Sequence, residues 1–284
     1  MANSNSDVAA LLDDFSVEMT GKDDKSITEN SDAYPPGTRV NVTFLGNEDL
    51  EMRVRASKAV KAAGYVPVPH LSARRLRSQA ELEEFLGALR DVDATESVFV
   101  VGGDPAEPMG PYPDSLSVIQ TGLLQQYGVK HVSIAGHPEG HPDVAEDIMR
   151  QALRDKFAAL REQQLDGTIL TQFSFDIDPI MAWVDAVRAD GIDLPLRIGV
   201  PGPAGIRRLL AYSKRMGVAT SAGIASRYGF SITNLLGTAG PDRLIRDIAA
   251  RLKPEHGEVG LHFYTFGGLK ATGEWIKDFQ NQIS

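Results

Sequence analysis

Eight short apolar segments alternate with eight longer amphipathic segments along this chain of 284 residues, and this pattern predicts a (β/α)8 barrel. Barrels of this kind commonly take about 250 residues as one domain, which suits the length. The clearest strand lies at the start of the segment Thr168–Asp176. Five of the first six residues of this segment are β-branched, apolar or aromatic, as in a strand buried on both faces. We therefore expect residues 1–284 to form a single barrel domain, with 1–12 as a disordered or loosely held N-terminus.

The individual elements follow from local patterns. The predicted strands lie near 14–19, 40–45, 66–70, 97–102, 131–135, 168–173, 195–200 and 259–264. The predicted helices lie near 48–64, 78–91, 114–127, 143–164, 178–190, 203–216, 240–252 and 269–280. On the second helix, Leu82, Phe85 and Leu89 follow the 3.6-residue period. Prolines stand in first turns and glycines after last turns, where each is best tolerated, namely Pro179, Pro203 and Pro241, and Gly64, Gly128 and Gly191.

Two segments depart from the repeat. Gly21–Gly37 is polar where the first helix should lie, so we expect a loop or a short helix there. Val218–Gly240 is apolar but interrupted by glycines, which predicts an irregular segment or a short helix before the helix that begins near Pro241.

Composition excludes several function classes. The formal net charge of −9 argues against a nucleic-acid-binding protein. No apolar run approaches the roughly 20 residues that span a bilayer, and the polar start Met1–Asp7 is unlike a signal peptide. The absence of cysteine removes disulfides, thiolate nucleophiles and cysteine-ligated metals. We expect a cytoplasmic protein with a small-molecule substrate, and a homo-oligomer is compatible with the sequence.

Polar side chains follow the predicted strands, and in a barrel the carboxyl ends of the strands form the site. These strand-end residues are Glu18, Thr43, His70, Asp104, the His137–His141 loop, Gln172, the Gly199–Pro203 loop and Tyr264. No Ser-His-Asp or Cys-His arrangement can be assembled from their spacing. Gln172 carries an amide that suits a heterocycle with donors and acceptors, although a strand-end glutamine that caps a loop is an equal alternative.

Two carboxylates are the candidate acid groups. Glu18 is the acidic residue in an apolar run, and partial burial favours the protonated form that a general acid needs. A salt-bridged glutamate at the rim is the alternative. Asp104 follows two glycines that would let a flat ligand approach the backbone, and an Asx turn is the alternative there.

The segment after the fifth strand offers two further features. His137 and His141 have the H-x-x-x-H spacing of zinc ligands, but the prolines and glycines between and around them exclude a helix, so we predict contacts with a cofactor and no metal. Arg150, Arg154 and Arg161 share one face of the next helix and could neutralise a diphosphate, although such a stripe is often only a solvated face. No G-x-G-x-x-G or Walker-type loop follows any strand.

With these residues in place, the chain resembles the methylenetetrahydrofolate reductase family, the flavin-dependent barrel enzymes of one-carbon metabolism. The resemblance extends over about 14–266 and is carried, in the family's order, by the motifs FSVEM, VNVTF, VPHLSA, VGGDP, HPEGHP, LTQFSFD and LHFYT. By this resemblance, Glu18 corresponds to the acid that protonates N10 of the folate, Asp104 to the carboxylate that contacts the pterin and tunes the flavin, and Gln172 to the amide that binds the pterin. The resemblance also implies two further sets of contacts. The residues that would contact the flavin and the nicotinamide are Thr43, Phe44, His70, Gly102, Gly103, His137 and His141. The further residues that would contact the folate are Arg208 and Tyr264.

Several family positions differ. His137 replaces a tyrosine that lies against the flavin, and Phe157 and Leu160-Arg161 stand near the family's cofactor-holding asparagine and Arg-Lys pair. Arg208 stands near the position where the family has a folate-contacting glutamine. The arginine after the last strand is replaced by Gly267-Gly268, and the usual Phe-Phe-Pro-Pro by Met19-Thr20-Gly21-Lys22.

The resemblance implies an oxidoreductase that interconverts 5,10-methylenetetrahydrofolate and 5-methyltetrahydrofolate through FAD, with NADH or NADPH as the reductant. Because of the changed positions, we expect one or more of Arg150, Arg154 and Arg161 to bind the diphosphate of FAD. The alternative is a flavin-free folate-binding barrel, either a direct NAD(P)H-dependent reductase or a non-catalytic folate-binding protein.

Overall fold

The computed structural model describes residues 5–215 and 238–283. Its eight long strands form a closed barrel in which successive strands are neighbours and the eighth closes on the first. The pairings are parallel, as in Arg39–Val42 beside Val66–Ser72. The predicted (β/α)8 barrel is therefore confirmed.

Each predicted strand is present. From the first to the eighth, the barrel strands are Ser16–Met19, Arg39–Val42, Val66–Ser72, Ser97–Val101, His131–Gly136, Asp166–Thr171, Leu196–Pro201 and Val259–Tyr264. The sixth strand ends one residue before Gln172, so this amide lies directly after a strand, as the sequence predicted. Two-residue strands, Ala204–Gly205 and Thr238–Ala239, pair antiparallel outside the barrel.

The described helices lie near the predicted bounds, although Pro203 is not in a first turn, because its helix begins only at Ile206 after the strand Ala204–Gly205. They are Asn5–Asp13, Asp24–Glu29, Leu50–Ala62, Gln79–Arg90, Ser115–Ile119, Leu123–Gln126, Glu146–Glu162, Ile177–Ala189, Ile206–Arg215, Asp242–Arg251 and Leu269–Ile283. The Asp49 and Asp114 carboxylates cap two of these helices by accepting from Met52 N at 2.7 Å and Ser117 N at 2.8 Å. Gly64, Gly128 and Gly191 have φ of 85°, 87° and 74° after helices, the left-handed conformation that glycine permits. None of the described helices is both long enough and apolar enough to cross a membrane.

Some expectations need correction or lie outside the described residues. Residues 5–12, expected to be loosely held, belong to the helix Asn5–Asp13, which buries Val8, Leu11 and Leu12. The helix predicted over 114–127 is two short helices, because Gly122 adopts φ 72° between them. The polar segment after the first strand forms the short helix Asp24–Glu29, one of the two outcomes expected. Most of the predicted irregular segment 218–240 lies outside the described residues.

By packing, the described residues form two compact units. The N-half unit comprises 17–135 and 150–169, and the C-half unit comprises the described parts of 1–16, 136–149 and 170–284. The N-half unit buries Leu82, Phe85 and Leu86 of the helix Gln79–Arg90. The C-half unit buries Phe15 and Phe263 with their rings edge to face at 5.6 Å. Each unit therefore has its own apolar core, and the candidate site residues are described below unit by unit.

Candidate functional site

In the N-half unit, Glu18 and His70 lie together at strand ends. The strand Ser16–Met19 buries Ser16, Val17 and Met19, while the Glu18 side chain stays 20% exposed. Glu18 Oε2 lies 3.9 Å from His70 Nε2, and the His70 side chain is 10% exposed. The His70 ring also packs edge to face on Phe99 at 4.7 Å. A carboxylate beside an imidazole can hold and pass a proton, so the structure brings together two of the residues that the sequence predicted.

The second strand presents two further polar side chains. Thr43 N donates to Met19 O at 2.9 Å, which continues the ladder beyond Val42. Thr43 is 8% exposed and Asn41 is 2% exposed. Within the described part of the chain, neither Thr43 Oγ1 nor Asn41 Nδ2 has a hydrogen-bond partner. Thr43 was predicted to contact a cofactor, whereas Asn41 was not identified from the sequence.

Two buried residues that were not identified from the sequence, Glu48 and Arg53, hold the loops of this region. The Glu48 carboxylate is buried and accepts from Gly21 N at 2.8 Å and Leu45 N at 2.9 Å, so one side chain joins the loops after the first and second strands. Arg53, also buried, lies with its guanidinium carbon 3.5 Å from the Phe44 ring centroid and 4.2 Å from that of Phe85. Burial lowers the pKa of Arg53 to about 10, so it remains protonated at neutral pH. Phe44, predicted to line the cofactor site, is thus held by Arg53.

The loop after the fourth strand carries Gly102, Gly103 and Asp104. Gly103 has φ 97°, and a Cβ there would lie 2.2 Å from Ser72 Oγ, so glycine is required on two grounds. The Asp104 side chain is 74% exposed and pairs with Arg75, whose Nη2 lies 2.5 Å from Oδ1. Because the Asp104 carboxylate is exposed to solvent, its attraction to Arg75 is weakened, and Asp104 can exchange Arg75 for a ligand.

A neighbouring arginine fixes the same loop. Arg74 donates to the carbonyls of Pro105 at 2.7 Å, Pro113 at 3.2 Å and Ala106. The backbone of Arg74 adds two bonds, its N to Gly102 O and its O from Met109 N. The loop that carries Asp104 is therefore ordered by the residues that follow the third strand.

The predicted arginine stripe lies on the helix Glu146–Glu162. Arg150, Arg154 and Arg161 are exposed, and the guanidinium of Arg161 lies 5.6 Å from the Phe157 ring centroid. Leu153, Lys156, Ala159 and Leu160 form the buried face of this helix. Burial lowers the pKa of Lys156 to about 8, and the nearby charge of Asp114 opposes this only in part.

In the C-half unit, Gln172 is half-buried after the sixth strand. Its Oε1 accepts from Phe173 N at 3.1 Å, which is the capping role considered for a strand-end glutamine. Its amide nitrogen makes no hydrogen bond to any described residue, so a donor remains for a ligand. Gly199 packs against the same segment, where a Cβ would lie 2.4 Å from Thr171 O. The glycine allows the sixth and seventh strands to approach closely beside Gln172.

Two predicted folate-side residues make contacts inside the protein. Tyr264 is buried, and its hydroxyl donates to Thr171 O at 3.1 Å, one residue before Gln172. Arg208 is exposed, and its Nη1 donates to Phe266 O at 2.9 Å. Tyr264 therefore lies close to Gln172 in the fold, while Arg208 fastens the backbone after the eighth strand.

The histidine loop is joined to the segment after the sixth strand. The rings of His137 and His141 meet edge to face with centroids 5.7 Å apart, and His141 Nδ1 accepts from Asp143 N at 3.2 Å. Ser174 Oγ donates to the Glu139 carboxylate, a contact that the sequence analysis did not predict. The signal was weak, because Glu139 and Ser174 are 35 residues apart in the chain.

Comparison with known proteins identifies relatives of about half the chain. No family model matches the chain. Methylenetetrahydrofolate reductase 1 of Schizosaccharomyces pombe is 31% identical over 150 residues, which is 49% of this chain and 23% of that protein. Methylenetetrahydrofolate reductase 2 of Saccharomyces cerevisiae is 30% identical over 151 residues, with the same shares. The match therefore spans less than a quarter of the length of these relatives, and the predicted resemblance to this family is confirmed for the part that matches.

A solved structure shares the fold. An uncharacterized protein from Clostridium thermocellum, which binds two copies of 5-methyl-5,6,7,8-tetrahydrofolic acid, superposes with a TM-score of 0.64 at 12% identity and covers 95% of each chain.

Proposed function

We propose that this chain, a barrel related to the methylenetetrahydrofolate reductases, interconverts 5,10-methylenetetrahydrofolate and 5-methyltetrahydrofolate with a nicotinamide as the hydride source. The two yeast relatives support the reaction class, since both are methylenetetrahydrofolate reductases. The Clostridium thermocellum barrel, which binds methyltetrahydrofolate, is compatible with a folate substrate on this fold.

The observation that carries the proposal is the half-buried Glu18 carboxylate 3.9 Å from the His70 imidazole. Reduction of the methylene bridge needs a proton at N10 of the folate, and Glu18 is the group that would donate it. A protein that only binds folate has no need of a proton donor at this place. The imidazole of His70 can return a proton to Glu18 between turnovers.

The proposed reaction begins with a proton transfer to the folate. Glu18 donates a proton to N10, the bond between N10 and the methylene carbon breaks, and the electron pair of that bond stays on N10. The methylene carbon, now doubly bonded to N5, accepts a hydride whose source is the nicotinamide, which ends as NAD(P)+. The reverse reaction oxidises the methyl group by the same steps.

The remaining site residues orient the substrate. The free amide nitrogen of Gln172 would donate to the pterin, while its Oε1 stays bound to Phe173 N at 3.1 Å. Asp104 would exchange Arg75 for the N–H groups of the pterin, which suits its 74% exposure. Holding the reacting carbon in place is a large part of what such a site contributes to the rate.

The described side chains include groups that suit FAD. The unpartnered hydroxyl of Thr43 fits the polar edge of the flavin ring, and the exposed Arg150, Arg154 and Arg161 fit its diphosphate. When bound, FAD would relay the hydride from the nicotinamide to the folate. We therefore propose FAD as the cofactor and NADH or NADPH as the reductant.

A flavin-free reductase is the second candidate. Leu160 stands at the position where the resemblance places a cofactor-holding arginine. It belongs to the buried face of the helix Glu146–Glu162 and so cannot replace that arginine. Phe157, at another of these positions, packs beside Arg161. In this second candidate the nicotinamide transfers its hydride directly to the methylene carbon, and Glu18 keeps its role.

Glu18→Gln tests the proposal, because it keeps the size of the side chain and removes the acid. The variant should still bind the nicotinamide and reduce any bound flavin, whereas formation of 5-methyltetrahydrofolate should fall about 10²–10⁴-fold. The matched control is Glu29→Gln, at an exposed glutamate on the helix Asp24–Glu29. Single-turnover rates of each half of the reaction give the answer, and a loss smaller than about tenfold would remove Glu18 from the mechanism.

A further inference from the structure

Asn41 and Thr43 are two buried polar residues on one side of the second strand. Asn41 lies in the strand Arg39–Val42, and Thr43 follows it directly with its N–H still on the ladder, so strand alternation places the two side chains on the same face. Asn41 is 2% exposed and Thr43 is 8% exposed. The amide nitrogen of Asn41 and the hydroxyl of Thr43 have no hydrogen-bond partner among the residues that the structure describes.

Their neighbours are the residues proposed to carry the chemistry. Asn41 pairs with Val68 and Val42 with Pro69, and the next step of this register places Thr43 beside His70. On the other side, Thr43 N donates to Met19 O, the residue after Glu18. The two unpartnered groups therefore lie on the strand between those that carry Glu18 and His70.

A buried donor without a partner is unfavourable, and native proteins keep few of them. Two on one strand face, next to a carboxylate and an imidazole, indicate a place where a ligand completes the hydrogen bonds. We infer that Asn41 contacts the ligand and, together with Thr43, forms a subsite for an amide edge, that is, a carbonyl beside an N–H. The inference rests on the proposed function and adds Asn41 to its site.

The chemistry of the two groups suits such an edge. The amide nitrogen of Asn41 donates to the carbonyl oxygen, and the hydroxyl of Thr43 accepts from the adjacent N–H. Three molecules in the proposed reaction carry this edge: the pterin ring of the folate, the pyrimidine ring of the flavin and the carboxamide of the nicotinamide. The experiment must therefore separate these three sources.

The test uses Asn41→Leu and Thr43→Val, which keep the approximate shape and remove the polar groups. Because the ligand-free protein loses no hydrogen bond, both variants should unfold at the same temperature as the parent or higher. Their affinity for the molecule that fills the subsite should fall about ten- to a hundredfold. Calorimetric titrations with 5-methyltetrahydrofolate, FAD and NADH, each alone, identify that molecule as the one whose affinity falls.

Thr272→Val is the matched control. Thr272 is buried, but its hydroxyl donates to Gly268 O at 2.9 Å, so its removal should lower the unfolding temperature and leave all three affinities unchanged. The inference is overturned if Asn41→Leu behaves like this control, because the amide would then hold an ordered water or a structural contact. It is also overturned if the parent binds one or more probes and both variants bind every one of them as tightly as the parent does. A parent that binds none of the three probes refutes the proposed function itself, and the subsite with it.

Discussion

Gln172 combines one hydrogen bond inside the protein with one group that can serve a ligand. Its carbonyl oxygen caps Phe173 N at 3.1 Å, and Tyr264 reaches the preceding residue through Thr171 O at 3.1 Å. The two alternatives that the sequence left open, capping and ligand recognition, are therefore compatible in one side chain, since they use different atoms of the amide.

A pair of substitutions separates these roles. Gln172→Glu keeps the oxygen that caps Phe173 N but removes the donor, whereas Gln172→Ala removes both. If the amide nitrogen binds the pterin, both variants should weaken folate binding by about 1–3 kcal/mol and leave NAD(P)H binding nearly unchanged. Titration with each ligand measures this, and a Gln172→Glu variant that binds folate like the parent would leave only the capping role.

At the scale of elements, the helix Glu146–Glu162 has two faces with different expected functions. Its exposed face carries Arg150, Arg154 and Arg161, which we propose to bind the diphosphate of FAD. Arg→Met at a useful contact should lower FAD affinity about ten- to a hundredfold. The three single variants are titrated with FAD at fixed ionic strength, with Arg207→Met, at an exposed arginine of another helix, as the control. Parental affinity in all three would show that the stripe is only a solvated face.

The buried face of the same helix predicts a pH dependence of stability. Burial lowers the pKa of Lys156 from 10.5 to about 8, so between these values the unfolded chain binds more protons than the folded one. The free energy of unfolding should therefore rise as the pH increases from about 8 to 10.5, and it should carry the penalty of a buried ammonium below pH 8.

Lys156→Met removes the titrating group and keeps the length of the side chain. At pH 7 the variant should be more stable than the parent by up to about 3 kcal/mol, and the rise above pH 8 should disappear. Denaturant unfolding across this pH range measures both effects. Lys58→Met, at an exposed lysine of the helix Leu50–Ala62, should leave the pH profile unchanged. A Lys156→Met variant that is less stable than the parent at every pH would contradict the account.

The elements also show what the sequence can and cannot predict. The eight barrel strands were predictable because each lies in a short segment rich in apolar residues, a local signal. The break at Gly122 was missed because a single glycine within a helical pattern is commonly tolerated. Glu18 and His70 were found from their places at strand ends, whereas Glu48 and Arg75 were not. Their partners, Gly21 and Asp104, are 27 and 29 residues away in the chain, and no local pattern encodes such contacts.

At the scale of the whole molecule, the matched yeast enzymes are more than four times as long as the segment they share with this chain, since that segment is 23% of each. The described residues close an eight-stranded barrel without the remaining length of those enzymes. The proposed function therefore assigns folate binding and the hydride chemistry to residues of this barrel.

The most direct test is the product formed by the purified chain. Under anaerobic conditions it is incubated with 5,10-methylenetetrahydrofolate and NADH or NADPH, with and without added FAD, and 5-methyltetrahydrofolate is quantified by mass spectrometry. We predict one 5-methyltetrahydrofolate for each nicotinamide oxidised, and a requirement for added FAD would distinguish the flavoenzyme from the flavin-free reductase. A chain that binds the folate but forms no 5-methyltetrahydrofolate with either nicotinamide, whether or not FAD is present, would contradict the central claim.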